Sequence, residues 1–380
     1  MIRVLVVEDS STVRELLLGI LSSDPAIEVV GTAQTGEEAV VAVERLRPDV
    51  VTMDVHMPKM NGFDATRRIM ETHPTPIVIV SAADATDTTK AFQAIESGAL
   101  AILQTPCGPN HPEHEGHSAD LLRTVKMMSE VKVVRRWPRL RPAVTLPAAR
   151  VCTEFQFQPA QTSIRLVAIG ASTGGPPALQ TILAGLPKDF PVPILIVQHI
   201  ADGFTRYFVE WLTQSSKLPI HLPTHDQQVL PGHVYVAPDR LHMAITADGR
   251  IQLIGAEVEN GLRPSVSYLF RSVAKAYGPG GAGVLLTGMG KDGAWELKSM
   301  KEEGALTIAQ DRDTSTVYGM PGEAVRLGGA SYILSPEKIH LLLASLAAHH
   351  IGYDQRTMAN EQEDARGIDG RSPGHDLSER

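Results

Sequence analysis

The feature that most constrains this chain is an alternation that occurs twice. Short, mostly apolar runs of strand length are separated by segments whose apolar residues recur every three or four positions. In the first stretch Arg3–Val7, Glu28–Gly31, Val50–Met53, Ile77–Val80 and Leu100–Leu103 are the strand candidates. Ser11–Leu21, Gly36–Leu46, Phe63–Thr72, Thr88–Ser97 and Ser118–Val134 carry the helical period. Runs this short and apolar suit a parallel sheet covered on both faces, and five βα units predict a doubly wound α/β domain.

The alternation stops after residue 134. Residues 135–163 hold Pro138, Pro142, Pro147 and Pro159 among five arginines, which reads as a semi-rigid linker. It resumes at Ile164. Strands are expected at Leu166–Ile169, Ile194–Gln198, Val234–Val236, His242–Thr246, Ile251–Ile254, Gly283–Thr287 and Ala305–Ala309. Helices fit Pro177–Ala184, Phe204–Ser215, Ser265–Tyr277, Ala294–Glu302, Gly322–Leu327 and Pro336–His349. The second domain, residues 164–350, is therefore expected to be another doubly wound parallel sheet, with an antiparallel insertion around residues 230–254. Residues 351–380 are polar without period and read as a disordered tail.

Composition removes several classes of function. Lys and Arg total 35 against 43 Asp and Glu, a net charge of −8, and aromatics are 5%. That is a poor basis for nucleic-acid binding, which needs basic surface and stacking rings. No apolar run reaches the ~18–20 residues of a membrane-spanning helix, so no membrane insertion is expected. The acidic N-terminus lacks a secretory signal, and Cys107 and Cys152 read as two unpaired thiols. A cytoplasmic monomer is expected.

Three carboxylates of the first domain fall at strand ends, where open α/β sheets bind ligands. Glu8 and Asp9 follow the first strand and Asp54 follows the third. Crowded carboxylates need a cation, and an all-oxygen set suits Mg²⁺. An aspartate beside it could accept a phosphoryl group, with the Ser81 hydroxyl placed to bind it. The plainer alternative is that Asp9 and Ser10 cap a helix and Asp54 caps a turn. His111, His114 and His117 invite a metal reading too, but flanking Pro and Gly suggest a solvated loop without a fourth ligand.

The stretches VVEDS, MDVHMPKMNG and IVIVSA make residues 1–134 resemble a response-regulator receiver domain, a flavodoxin-like fold. The resemblance implies that Asp54 is the phosphoacceptor, that Glu8, Asp9 and Asp54 hold Mg²⁺, and that Ser81 is the switch hydroxyl. Two departures matter, and one is Ile102, where receivers usually carry an aromatic three residues before the lysine position. Receivers place a lysine before the proline after the fifth strand, and here Thr105 precedes Pro106. Threonine cannot supply lysine's charge-assisted bond to a phosphoryl group, so an altered switch is expected.

In the second domain three strand ends deliver a serine, a histidine and an aspartate. Ser172 lies between a strand and a helix start in Ala171-Ser172-Thr173-Gly174-Gly175. His199 follows the next strand, and Asp292 lies in Gly288-Met289-Gly290-Lys291-Asp292-Gly293. A serine needs a base, and the base an orienting carboxylate, so the three could form a nucleophilic site recognised by role. The order Ser, His, Asp differs from that of α/β-hydrolases and argues for a different fold. The same Gly288–Gly293 run fits G-x-G-x-x-G, with Asp311 downstream, so a nucleotide-dependent oxidoreductase is a competing reading. It leaves Ser172 and His199 unexplained.

Together IGASTGGPPAL, IVQHI, LRPSVSYLFRSVA, VLLTGMGKDGA and AQDRDTSTVYGMPGEAV resemble the Rossmann-like catalytic domain of chemotaxis protein-glutamate methylesterases. The resemblance implies Ser172 as nucleophile, His199 as general base, Asp292 as its orienting group, and oxyanion donors at Met289 and Thr173. It implies hydrolysis of glutamate γ-methyl esters, and deamidation of glutamines, on methyl-accepting chemoreceptors. No cofactor is expected for hydrolysis. The receiver would take its phosphoryl group from a chemotaxis histidine kinase. The alternative of another class is a phosphorylation-controlled adaptor whose hydrolase site is idle.

Overall fold

The computed structural model describes residues 1–81, 95–131, 133, 164–259 and 261–345. The expected linker 135–163, Cys152, the tail and most of the expected helix Thr88–Ser97 lie outside the described residues.

The first sheet comprises β1 (Ile2–Val7), β2 (Ile27–Ala33), β3 (Val50–Met53), β4 (Ile77–Ser81) and β5 (Ala101–Gln104), all parallel, in the order β2-β1-β3-β4-β5. The chain winds in both directions from β1, so the carboxyl ends of β1 and β3 lie side by side at a crevice. Val4 to Val7 and Val50, Val51 and Met53 are essentially unexposed, which is why these strands read as continuous apolar runs. Helix Ser11–Ser22 starts where the Ser10 hydroxyl accepts from the Val13 amide, and Asn61 caps Gly62–Thr72 by accepting from Asp64. The closing helix was expected from Ser118; it runs over His114–Ser129.

The second sheet has seven parallel strands in the order β14-β13-β12-β6-β7-β9-β8. They are β6 (Leu166–Ala171), β7 (Ile194–Gln198), β8 (Ile220–His221), β9 (Val234–Val236), β12 (Gly281–Leu285), β13 (Leu306–Gln310) and β14 (Tyr332–Leu334). Leu166, Val167, Ala168 and Ile169 are wholly buried between helix layers, as are Ile194 to Val197. Both parallel sheets match the expected architecture. The antiparallel insertion is smaller than expected. Among the described strands β10 (His242–Ile245) and β11 (Ile251–Ile254) alone pair antiparallel, whereas β9 joins the main sheet parallel to β7.

Helices Gly175–Gly185, Thr205–Ser215, Val266–Tyr277, Ala294–Glu302 and Met320–Arg326, with helical residues 336–345, cover the sheet. β6 lies between β12 and β7 and runs parallel to both, so the three carboxyl ends lie side by side at one edge.

Candidate active site

At the edge of the first sheet, Glu8, Asp9 and Asp54 present carboxylate oxygens that all lie within 4.8 Å of one another. Glu8 is buried, and its Oε1 accepts from the Ser10 amide at 3.1 Å. Burial, reinforced by the nearby Asp54, pushes the Glu8 carboxyl up to about 7; burial likewise pushes Asp54 up to about 6. Two of these acids resist ionisation, and the oxygen-only donors of the pocket fit a hard cation such as Mg²⁺. Ser10 does cap the first helix, as the plainer reading allowed, while Asp9 and Asp54 remain part of the pocket.

The backbone shapes this acid pocket closely. The Asp54 Oδ1 accepts from the Val55 amide at 2.7 Å. A Cβ on Gly62 would stand 2.1 Å from the Asp54 carbonyl oxygen, so only glycine permits that approach. Ser81 ends β4 fully buried, and its hydroxyl has no partner among the described residues. Thr105 is anchored beside it, its amide donating to the Ser81 carbonyl at 2.9 Å. Thus β4 and β5 bring the two expected switch positions together, with no ammonium at the second.

At the edge of the second sheet the Ser172 amide donates to the Thr287 carbonyl at 3.0 Å, tying the end of β6 to that of β12. The His199 amide donates to Ala171 at 2.9 Å, tying β7 to β6. His199 Nε2 meets Asp292 Oδ2 at 2.9 Å. The pairing leaves Nδ1 as the ring nitrogen free for other work. Among the described residues the Ser172 hydroxyl makes no hydrogen bond. Ser172, Thr173, His199 and Met289 all line one cavity.

Asp292 is seated at a helix start. Its Oδ2 also accepts from the Val266 amide at 2.7 Å, and its Oδ1 accepts from the Ser265 hydroxyl at 2.9 Å and the Ser267 amide at 3.1 Å. Ser265 is the N-cap of Val266–Tyr277, so the carboxylate sits on the free amides and positive end of that helix. Burial alone would push this carboxyl up. The His199 ring and the donors around residues 265–267 overcome it and hold Asp292 well below the usual carboxylate range.

Sequence reasoning missed two supports. Ser265, Val266 and Ser267 gave a readable signal, a Pro-Ser pair before a helical period, but not their target. Gln198 is the other. Its buried amide donates to the Ser172 carbonyl at 2.9 Å and the His199 carbonyl at 2.8 Å, fixing both turns at once.

Gly174 takes φ +77, and a Cβ there would lie 2.2 Å from Thr316 Oγ1, so residues 311–319 pack directly beneath the serine turn. Those residues also account for the Gly288–Gly293 run. Gly288 donates to Val317 and accepts from Gly319 and Met320, while the Gly293 amide donates to Ser267 Oγ at 2.9 Å. Asp311 is engaged by Thr314 at 3.0 and 2.6 Å. These groups are committed to holding the site, so the dinucleotide reading loses its first and last glycine amides and its acidic partner. The Met289, Thr173 and Gly174 amides have no acceptor among the described residues.

The cavity of about 770 Å³ lies between the two domains. Its far wall is the first domain: Leu103 and Gln104 of β5, and Gly116, Asp120 and Met127 of helix His114–Ser129. Among the described residues, polar side chains bridge the cleft at two places. Glu96 accepts from Trp211 Nε1 at 3.0 Å and from Gln180 Nε2 at 3.4 Å. Arg240, paired with Asp202, also reaches Glu113 at 3.3 Å.

Of the three histidines expected in a solvated loop, His111 is an exposed loop residue and the other two are placed differently. His114 and His117 lie in the first turn of a helix, His114 Nδ1 is 2.7 Å from the Cys107 carbonyl, and Cys107 Sγ is 3.6 Å from His117 Nδ1. No helix among the described residues is long and apolar enough to cross a membrane.

Comparison with known proteins follows the same division. Residues 167–343 match the CheB methylesterase family model, and residues 4–113 match the response regulator receiver domain model. The chain is 56% identical over 349 residues to a protein-glutamate methylesterase/protein-glutamine glutaminase of Geobacter metallireducens, covering 91% of this chain and 99% of that protein. It is 54% identical over 350 residues to one from Nitrosospira multiformis, covering 92% and 98%. The solved catalytic domain of Thermotoga maritima CheB methylesterase is 38% identical, covers 49% of this chain and 100% of its own, and gives a TM-score of 0.47.

Proposed function

This chain belongs to the protein-glutamate methylesterase/protein-glutamine glutaminase family, and from that premise we propose that it hydrolyses glutamate γ-methyl esters on chemoreceptors under control of its receiver. The observation that carries the chemistry is His199 paired to the buried Asp292 carboxylate at the sheet edge that also carries Ser172. For this purpose the chain divides into a receiver (1–134), a linker (135–163), a catalytic domain (164–350) and a tail (351–380).

Ser172 is the nucleophile. Asp292 holds the Nε2–H of His199, so the Nδ1 lone pair is the base that takes the serine proton. A side-chain rotation on substrate binding closes the Ser–His bond. The attacked carbonyl oxygen becomes an anion that the amides of Met289 and Thr173 can meet, each such donor being worth roughly 3–4 kcal/mol in acyl transfer. The proton on His199 passes to the leaving methoxide, methanol departs, and water hydrolyses the acyl-enzyme by the same route to give glutamate. A glutamine amide would follow the identical path with ammonia leaving. Asp292 is a positioning residue, and the hydrolysis calls on no cofactor.

On the receiver, Asp54 accepts a phosphoryl group from a chemotaxis histidine kinase. Glu8, Asp9 and Asp54 would hold Mg²⁺, which when bound supplies the positive charge that lets a phosphoryl group approach three acids. The receiver walls the cleft on the side opposite Ser172, so weakening the Glu96 and Glu113 contacts would admit the substrate. A receptor's cytoplasmic helices as substrate imply a cytoplasmic enzyme, and no nucleic acid or membrane insertion enters the reading.

The test is methanol release from methylated receptor by wild type, Ser172→Ala and Asp54→Asn. We expect Ser172→Ala to be inactive, and Asp54→Asn to keep basal turnover while losing activation by phosphodonor. Wild-type turnover equal to that of Ser172→Ala would leave a phosphorylation-controlled adaptor as the better reading.

A further inference from the structure

A second cluster of ligating side chains stands outside both sites. From it we infer that Cys107, His111, Glu113 and His117 form a binding site for a zinc-class divalent cation on the receiver's side of the cleft.

Cys107 Sγ, a ring nitrogen of His111 and a carboxylate oxygen of Glu113 all lie within 4.8 Å of one another. His117 Nδ1 is 3.6 Å from the same sulfur. With Zn–S near 2.3 Å and Zn–N near 2.0–2.1 Å, a tetrahedral site has a sulfur–nitrogen edge of about 3.6 Å. One edge of the tetrahedron is therefore already built, and His111 and Glu113, grouped with the sulfur, would complete it by rotating toward His117.

The backbone explains how four donors spread over eleven residues meet. After β5 the chain turns back, the His111 amide donating to Gly108 and the His114 amide to His111, both at 3.0 Å. The contact between His114 Nδ1 and the Cys107 carbonyl then pins the start of the turn to the first turn of the helix. His117 follows three residues on, the spacing that keeps it on the same helix face. His111 Nδ1 accepts from the Glu113 amide at 3.2 Å, so Nε2 is the nitrogen left to bind.

Donor chemistry selects the ion. A thiolate and two imidazoles suit Zn²⁺ and are poor partners for Mg²⁺, which belongs with the oxygen pocket of Glu8, Asp9 and Asp54. The thiolate and the carboxylate also offset the charge of a divalent ion. Four protein ligands make a closed, structural site rather than one with a position for substrate. Its position gives it a task. Glu113 binds the ion through one oxygen and keeps the other for Arg240 across the cleft, so metal would brace the ion pair between the domains. The braced segment begins two residues beyond Thr105.

The test uses the full-length protein, stripped with chelator and kept saturated with Mg²⁺ to occupy the oxygen pocket. Titrated with Co²⁺, it should bind one equivalent with the intense visible absorption of a tetrahedral ion and a near-ultraviolet thiolate charge-transfer band. Zn²⁺ should displace it. Cys107→Ser should abolish the charge-transfer band, and His117→Ala should weaken binding by more than about tenfold. Asp9→Asn should change neither signal. A pale octahedral spectrum without a thiolate band would overturn the proposal. So would binding that Cys107→Ser and His117→Ala leave unaltered.

Discussion

Replacing Asp292 with asparagine changes one atom and exposes what the carboxylate does. In the native site Oδ2 accepts from His199 and Val266, and Oδ1 accepts from Ser265 and Ser267, at 2.7 to 3.1 Å. Asparagine offers one oxygen and one NH₂. With the NH₂ in the place of Oδ2 it confronts the Val266 amide, donor against donor. His199 must then accept through Nε2 and carry its proton on Nδ1, where it cannot serve as base toward Ser172. With the NH₂ in the place of Oδ1 it confronts the Ser267 amide, and His199 keeps its bond but loses the charge that stabilises its protonated form. Either way a buried N–H goes unpaired, a cost of about 1–3 kcal/mol in stability. In a serine hydrolase the wrong tautomer lowers kcat by about 10⁴, or some 5.4 kcal/mol at about 1.36 kcal/mol per tenfold. We therefore expect methanol release by Asp292→Asn to fall about 10³–10⁴-fold in kcat with KM within a few-fold, and its melting temperature to drop by about 2–4 °C per kcal/mol lost. A folded variant within about tenfold of the wild-type kcat would refute the orienting role and leave Asp292 as an anchor for the helix Val266–Tyr277.

Three other outcomes follow from the geometry. Gln198→Leu removes the donor shared by the Ser172 and His199 carbonyls, so denaturant unfolding should show a loss of about 1–3 kcal/mol and methanol release should fall at least about tenfold. Glu8 and Asp54 titrate in the fold near 7 and 6, above their unfolded values, so the metal-free fold binds extra protons and loses stability as pH rises from about 4 to 7. The gain in melting temperature on adding Mg²⁺ should accordingly grow across that window, and a gain independent of pH would contradict it. Thr105→Lys restores an ammonium beside the acid pocket and should increase activation by phosphodonor; equal activation in both proteins would show that the switch does not miss the lysine.

Strand ends were the most legible part of this protein, because β1, β3, β6, β7 and β12 are buried on both faces and so appear as apolar runs that stop where chemistry begins. Ser172, His199, Asp292, Glu8 and Asp54 could all be placed that way. Partners fixed by contacts distant in sequence could not. Nothing near Gln198 announces that its amide ties two turns together, and the Asp292 cradle at residues 265–267 lies 25 to 27 positions away. β8 has only two residues, and β14 is three residues with Ile333 exposed, so neither shows the buried apolar run that marks the equally short β9. Around His111–His117, Pro and Gly argued for a loop, yet the helix begins at His114 because the Cys107 carbonyl and the His111 turn fasten its first residues.

The side-chain contacts across the cleft have a quantitative consequence for signalling. Among the described residues, two hydrogen bonds to Glu96 and one exposed ion pair at Glu113, at about 0.5–1.5 and 0.2–1 kcal/mol each, make a polar latch worth only about 1–4 kcal/mol. Were that latch the main restraint, the gate would stand open in roughly 0.1–10% of molecules at any moment. The resting enzyme would thus trickle, and that leak, rather than complete silence, would set the baseline from which a stimulus is measured. A single substitution at Glu96 would shift the baseline and shrink the dynamic range together, with every atom of the hydrolytic machinery left in place.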